Sequence, residues 1–501
     1  MYSFIFSIFV LVFGYFIYGK YISKVFGVDN KRSTPVTLHP DGVDFVRLPV
    51  WKVFLIQFLN IAGLGPIFGA IMGIQYGPAA FLWIALGTIF AGGVHDFFSG
   101  AISLRKDGKS FPEIVGEELG MTVKQVMRCF SVVLLIMVGA VFVINPAQLL
   151  DLLTNSNPDA WFLSTEFWIL IIFVYYILAT LLPVDKIIGN LYPVFGFTLL
   201  FMAVGVLVAM IGSSISDIPE FTSGLHNRYP NPEENKIFPL MFVSIACGAI
   251  SGFHATQSPM MARCLCNEKY LRPVFYGSMV AEGIVALIWA AAAIAFFHGN
   301  FGDLSAYLAE VKSAAPLVNE ISITWLGAFG GALAIIGVVA APITSGDTAL
   351  RSARLIIADI FKIKQSTIVR RLLVSVPIFI ITYIVMKIDY TVLWRYFGWS
   401  NQTLAVFMLW TICAYLARQK KNYFIAMIPA IFMTMVSVSY IVYAPEGFSF
   451  DNRLAEIIAQ KLNDISITQI DYYISLVIAA IVTTVITFTF FKKKQKRNIN
   501  D

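Results

Sequence analysis

Five ionisable side chains interrupt otherwise apolar stretches of this chain: His95, Asp96, His254, Glu282 and Asp347. Each costs energy in hydrocarbon, so each is by default a candidate for carrying a proton or an ion. Asp96 precedes Arg105, and Glu282 follows Pro273, by ~13 Å of helix in both cases. Both boundaries fall on the same membrane side, so the two acids share a depth. Asp347 lies nearer that boundary, in Pro342-Ile-Thr-Ser-Gly-Asp-Thr348. The three acids are expected to form an inner-half polar cluster that takes up and releases a coupling proton or cation. Thr344 and Ser345 add hydroxyl oxygens suited to Na⁺, although Ser and Thr bond back to their own helix as commonly. Structural alternatives stand beside these readings. Asp347 has Arg351 four residues on for an ion pair. His95 and His254 also suit a satisfied core. Glu282 has no basic residue near it on its helix, which favours function.

Two apolar stretches are broken near their middles. One reads Asn60-Ile-Ala-Gly-Leu-Gly-Pro66 and the other Cys247-Gly-Ala-Ile-Ser-Gly-Phe-His-Ala-Thr-Gln-Ser-Pro259. Gly and Pro free backbone groups that hydrocarbon cannot satisfy, so such breaks survive only inside protein or beside a wet cavity. Matched breaks in two halves point to a transporter's binding site. The half-helix opening near Pro66 is expected to aim N–H groups at a carboxylate, whereas carbonyls around Asn60 to Gly63 suit a cation. Asn60, Gly63, Gly65, Pro66, Ser251, Gly252 and His254 are therefore the substrate-binding candidates. Gly65, Gly69, Gly73 and Gly77 also form a small-residue packing stripe, which leaves Pro66 and the second break unexplained.

The elements that position these groups are transmembrane helices. Of 501 residues 58% are hydrophobic and 13% charged, and the mean hydropathy is +0.76. No single soluble core buries that much apolar surface, so lipid is the solvent. Runs near the ~20 residues that cross a bilayer recur along the chain. They predict thirteen spans: 2–19, 50–76, 78–104, 125–150, 164–182, 187–212, 237–262, 273–298, 321–359, 368–387, 390–417, 422–443 and 471–491. The first reads as an anchor rather than a cleaved leader, since no basic segment precedes it.

With the first residue outside and each span crossing once, the outer segments hold only seven Lys and Arg. These are Arg228, Lys236, Lys312, Lys387, Arg395, Arg453 and Lys461, leaving 29 of 36 in the cytoplasm. That asymmetry is the positive-inside pattern and places the C-terminus inside. With the second span as core helix 1, the second break falls on core helix 6. Five intervening crossings invert the second unit, so the expected fold is an all-α membrane protein with a five-plus-five inverted-repeat core. The division is 1–24 for an extra helix, 48–212 and 236–418 for the repeats, and 422–501 for two peripheral helices and a basic tail.

Other chemistry is not indicated. Neither a metal-binding HExxH, nor a calcium loop, nor a GxxxxGK[ST] phosphate loop is present, so no cofactor is expected beyond a coupling ion, H⁺ or Na⁺. No nucleophile or acid–base constellation points to an enzyme. The net charge of +6 is scattered over short loops, which excludes a nucleic-acid face. Five cysteines form no framework. Ser110-Phe-Pro-Glu113 is expected to form a capping box opening a short helix towards Gly120.

Ile61-Ala-Gly-Leu-Gly-Pro-Ile67, Gly92-Gly-Val-His-Asp-Phe97, Gly248-Ala-Ile-Ser-Gly-Phe-His254, Thr344-Ser-Gly-Asp-Thr348 and Ser400-Asn-Gln402 resemble the carbon starvation protein A family, in order from about residue 48 to 410. The chain departs from some members at Gln57, where they carry a histidine, and at Leu64, where they read alanine. The resemblance implies a bacterial inner-membrane transporter of the amino-acid/polyamine/organocation type. It implies uptake of peptides, or of pyruvate with protons, during carbon starvation. The expected function is thus coupled import of a small carboxylate or short peptide by alternating access. An uncoupled channel and a nutrient sensor are the alternatives; self-association is left open.

Overall fold

The computed structural model describes residues 1–154, 161–181, 188–365, 367–444, 447 and 467–500. The long outer loop 444–470, with its Asp451-to-Asp464 amphipathic stretch, lies almost wholly outside the described residues. Among the described residues the chain is helical, with no strand. In order the main helices are α1 (Tyr2–Phe26), α2 (Val50–Ile61), α3 (Gly65–Ile74), α4 (Ala79–Arg105), α5 (Met121–Thr154), α6 (Thr165–Leu181), α7 (Ile188–Ser213), α8 (237–244), α9 (Phe253–Ala262), α10 (Glu268–Phe296), α11 (Ala315–Phe361), α12 (Ile368–Val385), α13 (Tyr390–Arg418), α14 (Phe424–Tyr443) and α15 (Ile467–Asn500).

Among the described residues, nine helices are long and apolar enough to cross a membrane, or ten if α2 and α3, bent by 53°, form one broken span. The expected count of thirteen is not confirmed. The expected span 164–182 is α6, only 17 residues long, and 237–262 is split into α8 and α9. In α13, Arg395, Ser400, Asn401 and Gln402 dilute the apolar run. Both predicted breaks are present: the chain leaves helical geometry at Ala62 (ψ 49°) and again at Ile245 (ψ 51°).

Burial separates core from rim. α4 and α10 are enclosed on nearly all sides, as expected of helices apolar around their whole circumference. In contrast, α1 shows Phe6, Phe9, Phe13 and Phe16 outward, and α7 shows Phe197, Phe201, Val204 and Val208. These stripes at helical spacing are lipid-facing surface. The glycine stripe does pack. A Cβ on Gly65 would lie 2.2 Å from that of Cys247, on Gly69 2.7 Å from the Ser244 carbonyl oxygen, and on Gly73 2.1 Å from Ile245. The first broken helix therefore meshes with the second at backbone distance. Gly77 serves otherwise, ending the helix at φ 102°.

Polar contacts sort the loops into two ends. At one, fully buried Glu268 accepts two bonds from Arg105 at 2.9 Å and one from the Asp29 N–H at 2.8 Å. Arg105 also donates to the Gly27 carbonyl at 2.6 Å, and Lys421 to that of Phe26. At the other, Glu220 accepts from the Tyr2 and Ser3 N–H groups at 2.8 Å, and Tyr443 donates to the Glu234 carbonyl at 2.7 Å. The first set joins only predicted inner segments and the second only predicted outer ones. Removing one partner of a buried pair costs roughly 3 kcal/mol or more. Glu268→Gln is therefore expected to lower the apparent Tm in detergent markedly; an unchanged melting curve would refute a structural role for this pair.

The helix expected at Ser110 is present as Phe111–Leu119, but the capping box is not formed. Ser110 Oγ instead lies 3.2 Å from Asp359, and Glu113 pairs with Arg128 at 2.6 Å. Stronger charged partners win over the local N–H groups.

Candidate functional site

The second break brings His254 to the first turn of α9, between α4 and α10. Asp96 on α4 holds two imidazoles. His95 Nδ1 lies 2.7 Å from Oδ1, and His254 Nδ1 lies 2.8 Å from Oδ2. A carboxylate only accepts, so both Nδ1 atoms donate. Beyond, His254 Nε2 faces Glu282 on α10 at 3.6 Å, too long for a hydrogen bond. All four side chains are fully buried. Among the described residues, both Glu282 oxygens, His254 Nε2 and His95 Nε2 have no hydrogen-bond partner. A carboxylate buried without donors is costly unless a proton or cation neutralises it. Two acids, on corresponding helices of the two expected repeats, thus flank one histidine at the second break.

Close approach makes this possible. Gly92 faces the Ala249 carbonyl oxygen, 2.3 Å from where a Cβ would lie, so α4 reaches the unwound segment. That segment is held chiefly by α13. Asn401 Oδ1 accepts from Ser251 Oγ at 3.0 Å and from the Phe253 N–H at 2.7 Å, and its carbonyl accepts from the Gly252 N–H at 3.1 Å. Gln402 donates to the freed Ile250 carbonyl at 3.3 Å, and Thr88 to that of Gly248 at 3.0 Å. Asn401, Gln402 and Thr88 are not among the candidates that the sequence suggests. The signal available is an Asn-Gln pair in the middle of an apolar helix. Asn401→Ala would leave a buried N–H without a partner, a loss of roughly 1–3 kcal/mol. It is expected to lower the apparent Tm in detergent while the chain still folds; an unchanged melting curve would show that the cap is dispensable.

At the first break, Asn60 in the last turn of α2 is fully buried, with neither amide atom partnered among the described residues. Gly63 lies under the Phe142 ring and Ser345 Oγ, and Gly65 and Pro66 open α3. The N–H groups of Ile67 and Phe68 both bond the Leu64 carbonyl, at 3.2 and 2.8 Å. At the second break the His254 N–H bonds the Ser251 carbonyl at 3.3 Å. These N–H groups, expected to face an anion, are thus internally bonded, and the unpaired polar atoms nearby are those of Asn60.

Asp347 belongs elsewhere. It accepts from Tyr192 at 2.9 Å, and the same hydroxyl lies 3.0 Å from the Thr344 carbonyl. Arg351 reaches the Ala179 carbonyl at 2.6 Å and Asp44 at 3.7 Å. Among the described residues no hydrogen bond or ion pair links Asp347 to Asp96 or Glu282, so the acids form a pair around His254 and a separate site on α11. Thr344 bonds back to Ala341 at 2.8 Å, whereas Ser345 crosses to the Leu59 carbonyl at 3.0 Å, just before the first break. Among the described residues no group of three or more His, Cys, Asp or Glu side chains is arranged so that it could hold a metal ion.

Known proteins share this architecture. A manganese transporter from Eremococcus coleocola matches with a TM-score of 0.50 and 14% identity, over 91% of this chain and 99% of that one. An uncharacterized membrane protein of Haemophilus influenzae is 44% identical over 337 residues, 59% of this chain and 91% of its own length. The peptide transporter CstA of Campylobacter jejuni is 28% identical over 63% of this chain and 53% of its own. The pyruvate/proton symporter BtsT of Escherichia coli is 27% identical over 63% and 52%. The chain thus matches about half the length of these two transporters. The profile of the carbon starvation protein CstA family matches residues 1–157, 152–327 and 312–440. This multi-pass membrane protein belongs to the carbon starvation protein CstA family.

Proposed function

We propose that the protein is a proton-coupled secondary transporter that imports a small carboxylate such as pyruvate, or short peptides, by alternating access across the bacterial inner membrane when carbon is scarce. The observation that carries this reading is Glu282, a buried carboxylate with no donor, 3.6 Å from the open nitrogen of His254. A proton entering on Glu282 has His254 Nε2 as its next acceptor, and Asp96 stabilises the resulting imidazolium through Nδ1. Because His254 stands in the second helix break, its charge state bears on the segment that Asn401 clamps. Substrate is placed between the breaks, its carboxylate meeting the Asn60 amide and backbone released from its present bonds. The names of the relatives support the substrate classes. The two-ended loop network and the lysine and arginine asymmetry support a cytoplasmic C-terminus, an outer first residue, and repeats at 48–212 and 236–418. Ser345 bridging to Leu59 favours a second reading, in which a Na⁺ ion takes the hydroxyl and carbonyl oxygens.

The test is labelled pyruvate uptake into proteoliposomes under imposed and then collapsed H⁺ or Na⁺ gradients, with di- and tripeptides as competitors. H⁺-dependent accumulation is expected, lost in Asp96→Asn. Dependence on Na⁺ alone would transfer the coupling role to Ser345. Uptake indifferent to both gradients would mean a facilitator, and binding without entry a sensor.

A further inference from the structure

Away from the helix breaks, a groove of about 410 Å³ runs between α13, α14 and α15. Along α13 it extends from Thr403 to Arg418, ~22 Å at the helical rise, against a leaflet half-thickness of ~15 Å. Its walls are apolar: Val406, Phe407, Trp410, Ala414, Ile486 and Phe490. The hydroxyls among them are already engaged. Thr403 bonds Ser437 at 2.7 Å, Thr434 accepts from Trp410 at 3.1 Å, and Thr489 bonds the Val485 carbonyl at 2.7 Å. Val485 is 57% exposed, so the groove is open along α15 towards the bilayer.

One mouth differs. Arg418, Lys420, Lys493 and Lys494 surround it, with Glu118 as the only acid among the described lining residues. Glu118 is already bound by Lys106 at 2.9 Å and Arg418 at 2.6 Å. Among the described residues neither Lys420 nor Lys493 has an acidic partner. A long apolar slot with cationic charge at one end matches a molecule that is hydrocarbon along its length and anionic at one tip.

We propose that this groove is a binding site for an anionic phospholipid, with an acyl chain along α13 and the phosphate between Lys420 and Lys493. Charge complementarity selects this occupant, since basic clusters between membrane helices capture anionic headgroups. A purely apolar partner helix gives Lys420 and Lys493 nothing to meet.

The test is native mass spectrometry of the full chain in detergent, titrated with phosphatidylglycerol or phosphatidylcholine. Phosphatidylglycerol is expected to bind at least tenfold more tightly. Each lysine near the headgroup contributes roughly fivefold, so Lys420→Ala with Lys493→Ala loses roughly thirtyfold of that affinity. Both positions are exposed, so folding is retained. Ala414→Phe, which fills the slot, is expected to reduce the occupancy of both lipids. Equal binding of the two lipids by the native chain, or a preference that survives the double substitution, would overturn the proposal. So would full displacement by glycerol 3-phosphate, which marks a headgroup site without a chain. A dimer that Ala414→Phe dissociates would show that a second copy fills the groove instead.

Discussion

On the proposed proton coupling, Glu282→Gln is expected to abolish gradient-driven accumulation. Each pH unit is worth ~1.36 kcal/mol, so one proton per substrate across two units supports up to about a hundredfold accumulation. The native chain should approach that ratio in proteoliposomes, and the variant should only equilibrate, to a ratio of about one. The amide keeps the size of the side chain but carries no exchangeable charge. It also removes a buried carboxylate whose two oxygens have no donor, so its apparent Tm should hold or rise. Lost coupling with undiminished stability marks a group kept for function at a cost to the fold. Asp96→Asn should differ, because Asp96 holds both His95 and His254, and its loss should lower stability as well. An E282Q variant that still accumulates substrate a hundredfold would remove Glu282 from the coupling path.

Gly252→Ala should be severely damaging. The added Cβ would lie 2.3 Å from the Asn401 carbonyl oxygen and 2.4 Å from the Ala405 N. Both are backbone atoms of a buried helix, so neither yields as a side-chain tip does. Overpacking in a core costs roughly 1–3 kcal/mol even where side chains give way. Here α13 must retreat, and the caps on Ser251 and Phe253 go with it. The expected result is little folded protein in a detergent-extracted sample. Gly212→Ala supplies the control: nothing lies within 4 Å of its Cβ, so it should be neutral. Comparable yields for the two variants would show that the second break tolerates a wider spacing.

The helix breaks are legible in the sequence because a Gly and Pro cluster inside an apolar run cannot hold a regular helix, and both breaks occur where predicted. The acids are legible by their rarity. What joins them is not: Asp96 and Glu282 meet only through His254, a long-range contact that no spacing reveals. Asp347 resembles a third member because it shares their side of the membrane. Its partner is Tyr192, a residue whose ring counts as apolar and whose hydroxyl is invisible to hydropathy. Asn401 and Gln402 stand in the sequence as part of a family motif but, for the opposite reason, their capping role is not legible. An uncharged amide in a span raises no alarm, although capping a broken helix needs a donor and an acceptor on one short side chain. The count of thirteen spans is not confirmed: among the described residues nine helices are long and apolar enough to cross alone, because the two broken spans and the short run at 164–182 do not form one long continuous helix.

The meshed glycines carry a mechanical consequence. With Gly65, Gly69 and Gly73 seated against the Cys247 side chain, the Ser244 carbonyl and the Ile245 side chain, α3 offers no side chain of its own along this seam with residues 244–247. Sliding this segment along α3 would drive the Cys247 and Ile245 side chains and the Ser244 carbonyl into the α3 backbone, so α3 and residues 244–247 are expected to travel together. The unwound residues outside this seam are 62–64 and 248–252, and Asn401 clamps the second of these. Bending at the two breaks is therefore expected at these two joints, with Asn401 as the latch on the second.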